Sequence, residues 1–79
     1  MVIAKVKKEG KDYGEEIKIS SLEDIEEILC RVAGASVLAG DEKVEVELSE
    51  NDKVFVLEGY SEIKRKLKEY EFLKKIFNL

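Results

Sequence analysis

The 79 residues predict an α+β fold: a two-layer sandwich in ββαβββα order, with a five-stranded, mainly antiparallel sheet carrying two helices on one face. Three observations carry this. Val44, Val46 and Leu48 alternate with Lys43, Glu45 and Glu47, the period of a strand with one buried and one wet face. Leu22, Ile25, Ile28, Leu29 and Val32 recur at helical spacing, and Ile63, Leu67, Tyr70, Leu73 and Phe77 do so again in the last twenty or so residues. Two amphipathic helices and several short strands bury best as one twisted sheet beneath both helices.

Composition sets the scale of the molecule. With 44% hydrophobic and 41% charged residues, residues 1–79 read as a single small globular domain, too short for two cores. Ordering such a chain costs on the order of 100 kcal/mol of conformational entropy, so nearly every apolar side chain needs a buried place. Cys30 is alone, so no intrachain disulfide forms. The lone cysteine, the absence of a signal-like apolar run after Met1 and the lack of a membrane-length apolar stretch predict a cytoplasmic protein with no membrane contact. His, Gln, Thr, Trp and Pro are missing while Glu and Lys abound, a composition similar to that of hyperthermophile proteins. The net charge of −4 argues against a domain built chiefly to neutralise nucleic-acid phosphates.

Taken in order, Val2 to Val6 form a strand and Ile17 to Ile19 a second. Gly10, Asp12 and Gly14 lie between them as turn residues, which makes residues 2–19 a hairpin. The two glycines also spell GxxxG, but a strand follows Gly14 instead of a helix start, so no phosphate cradle is formed. Ser20 and Ser21 each precede an acid by three residues, Glu23 and Asp24, the capping-box spacing. The first helix is therefore expected over 21–33, closed by Gly34 in a left-handed conformation. Three strands should follow: Ser36 to Ala39, Lys43 to Leu48 and Lys53 to Leu57, with Gly40-Asp41 and Ser49 to Asp52 as turns. The last of these is apolar at Val54, Phe55, Val56 and Leu57, which predicts a central place beside Val2 to Ala4. A final helix begins at Tyr60.

The hairpin and capped helix resemble the opening half of a ubiquitin-like β-grasp fold over the first 35 or so residues; without a terminal diglycine, the resemblance implies no conjugation chemistry. From Ser21 onward the αβββα order resembles a double-stranded RNA-binding domain. That family's lysine-bearing helix start is replaced here by Gly59, Tyr60, Ser61, Glu62 and Ile63.

Catalytic chemistry finds no support in the residue types. Without histidine the usual neutral-pH proton shuttle is missing, and Cys30 lies beside Glu26 and Glu27, which oppose a thiolate. Asp41, Glu42, Glu45, Glu47, Glu50 and Asp52 lack calcium-loop spacing and read as partners for Lys5, Lys7 or Lys53 across strands. No catalytic residue, metal site or cofactor is predicted.

The expected function is instead a protein-interaction or self-associating module. Phe72, Ile76 and Leu79 lie on the side of the last helix opposite its core stripe, as an apolar ridge where a solvated helix should carry charge. These three are the candidate partner interface, for a second copy or another protein. Ile3, Phe55 and Leu57 form a second candidate surface if their strands are neighbours. The alternative is a nucleic-acid contact by Lys64, Arg65, Lys68 and Lys75, which share one flank of the same helix.

Overall fold

The computed structural model describes residues 2–69. The chain forms β1 (Val2–Lys8), β2 (Lys11–Asp12), β3 (Ile17–Ile19), α1 (Leu22–Ala39), a 3-10 turn (Asp41–Lys43), β4 (Val44–Glu50), β5 (Lys53–Glu58) and α2 (Tyr60–Lys68). Five antiparallel strands form one sheet along the path β2-β1-β4-β5, with β3 continuing on the β2 side of β1. Both helices pack on the sheet, and the α+β architecture is the expected one.

Alternation decides which face is dry. Val2, Ala4 and Val6 of β1 and Val44, Val46 and Leu48 of β4 point to the helices and are buried, joined by Ile25, Ile28 and Val32 of α1 and Ile63 and Leu67 of α2. The odd-numbered neighbours Lys5, Lys7, Glu45 and Glu47 lie on the opposite face, where Lys7 and Glu47 pair at 3.3 Å. That is the cross-strand charge pairing expected of these strands.

The hairpin of residues 2–19 forms, with Val2 opposite Ile19 and Ala4 opposite Ile17. Its far arm is split. Glu9 and Gly10, both at positive φ, make the tight turn into β2, and the two-residue offset between the β2 and β3 registers throws out a loop over residues 13–16. Tyr13 folds from this loop onto α1 against the core, and Arg31 of α1 donates to the Glu15 carbonyl while pairing with Glu27 at 3.6 Å.

The start of α1 is as expected. Asp24 closes a capping box with Ser21, and its carboxylate accepts the backbone N–H groups of Ser20 and Ser21 at 2.8 and 3.0 Å. Its end is not. Gly34 does not stop the helix, and residues 36–39, expected as a strand, form its last turn. Ala35 and Ser36 are buried, the Ser36 hydroxyl donates to Asp41, and the stop falls at Gly40, whose φ of 102° suits glycine alone. The tight Gly40-Asp41 hairpin is accordingly replaced by a helix cap and a 3-10 turn. The order is thus βββαββα, and the αβββα succession that resembled a double-stranded RNA-binding domain is not formed. The next turn is tighter than expected: β4 runs on to Glu50, and only Asn51 and Asp52 lie between it and β5.

Candidate functional site

Strand order redraws the expected surfaces. β4 lies between β1 and β5, so Ile3 has no neighbour on β5, and Leu57, opposite Val46, is buried under the helices. The surface of Ile3, Phe55 and Leu57 therefore does not exist. β5 is also not central but ends the sheet. Its apolar run consequently meets water: Val54 is 59% exposed, Val56 43% and Phe55 38%. Val54 and Val56 point to the open face, in rows with Ser49 and Glu47 of β4, whereas Phe55 lies opposite Leu48 on the helix side.

A second exposed apolar spot lies at the end of α1, where Val37 and Leu38 are 85% and 65% exposed. Reading this stretch as a strand hid it. Helical spacing carried on from Val32 places Ala35 and Ser36 inward and Val37 outward, so the pattern was present but cut short at Gly34.

Phe72, Ile76 and Leu79 lie outside the described residues, as do Tyr70, Leu73, Lys75 and Phe77. Of the basic group, Lys64, Arg65 and Lys68 are exposed on α2, whose Ile63 and Leu67 are buried. Two of the three are engaged locally. The Arg65 guanidinium donates to Glu62 at 2.7 Å, holding the Glu62 carboxyl below its ordinary range and raising Arg65, and the Lys64 ammonium sits 5.8 Å above the Tyr60 ring. A duplex backbone would compete with both contacts.

The remaining grooves are shallow and of mixed charge. One of about 570 Å³ is lined by Lys5, Asp12, Gly14, Glu15, Glu16 and Lys18. Another gathers Glu9, Glu42, Glu45 and Glu58 about Lys43. Among the described residues no three His, Cys, Asp or Glu side chains are disposed to hold a metal ion, and Cys30 is an exposed thiol. No described helix is long and apolar enough to cross a membrane. The chain matches no protein-family model, no curated protein and no solved structure.

Proposed function

We propose that this protein is a non-catalytic interaction module of the cytoplasm that works by apolar contact with another protein surface. The observation that supports the reading is the exposed apolar run of β5, where three consecutive large side chains meet solvent at the border of the sheet. Soluble domains normally interrupt such a border with charge, proline or a bulge, and apolar surface is retained where it serves contact. The exposed Cys30 thiol is compatible with a reducing compartment. The ridge of Phe72, Ile76 and Leu79 is a further contact in this proposal.

Solution mass over a concentration series, at low and high salt and with and without a nucleic-acid duplex, tests it. Apolar association gives a mass that rises with concentration and withstands salt. Duplex binding that falls steeply with salt, by a chain that stays monomeric, would favour Lys64, Arg65, Lys68 and Lys75 instead and overturn the reading.

A further inference from the structure

We draw no further inference here: the strongest candidate, the apolar patch that Val54 and Val56 of β5 place on the open face at the border of the sheet, belongs to the surface already described, and nothing in the structure shows what covers it.

Discussion

Asp24 shows how much of the first helix depends on one carboxylate. It receives the Ser20 N–H, the Ser20 hydroxyl and the Ser21 N–H, donors that would otherwise point into water at the start of the helix. These hydrogen bonds, that from the Ser20 backbone foremost, hold its carboxyl below the ordinary aspartate range. A carboxylate depressed in the folded state contributes stability above its unfolded value, about 3.9, and loses it as the pH falls through the folded value. Asp24→Asn should therefore be less stable than the wild type at pH 7, and the gap should close below about pH 4. Urea denaturation of both proteins across that range checks this, and a gap that does not change with pH would remove the charge from the account.

At the scale of elements, α1 outlasts its own stop signal. Gly34 reads as an end because glycine readily takes the left-handed conformation that closes a helix, and inside a helix it costs about 1 kcal/mol relative to alanine. Tertiary packing overrides it: Ala35 and Ser36 are buried beyond it, and a methyl group at Gly34 would stand 3.3 Å from the Tyr13 hydroxyl. Glycine at 34 thus makes room for the Tyr13 ring, a long-range demand that local spacing does not display. Gly34→Ala should give little or no stabilisation in the wild type but about 0.5–1 kcal/mol in a Tyr13→Phe background, where the hydroxyl is gone. Equal effects in both backgrounds would mean that the hydroxyl does not select glycine. The stripes themselves were legible from Ile25 to Val32 and at Ile63 and Leu67, because the 3.6-residue period there is the period of burial, whereas Leu22, at the first position of the helix, falls outside the core and is 60% exposed. Leu67, 1% exposed, should cost about 2–5 kcal/mol when replaced by Ala.

For the whole molecule, local periodicity specifies β1, β3, β4, β5, both helices and the dry face of β4, but not the two-residue β2, which reads as turn, nor residues 36–39, which read as strand and form helix. It does not specify who neighbours whom. An apolar run such as Val54 to Leu57 is the pattern of a strand buried on both faces, and equally that of a border strand kept apolar for contact. Only the pairing of β1 with β4 distinguishes them, and it leaves β5 at the border. Phe72, Ile76 and Leu79 raise the same question from the sequence, since such apolar side chains serve either the chain's own core or a partner. Changing Phe72 and Ile76 to Lys separates these uses, because a contact ridge can lose its apolar character without cost to folding while a packed one cannot. On the interaction reading the double variant keeps the thermal midpoint of the wild type and loses association with the partner that the ridge serves. A drop of several degrees, comparable to that of Leu67→Ala, would assign both side chains to the core and leave β5 to carry the contact alone.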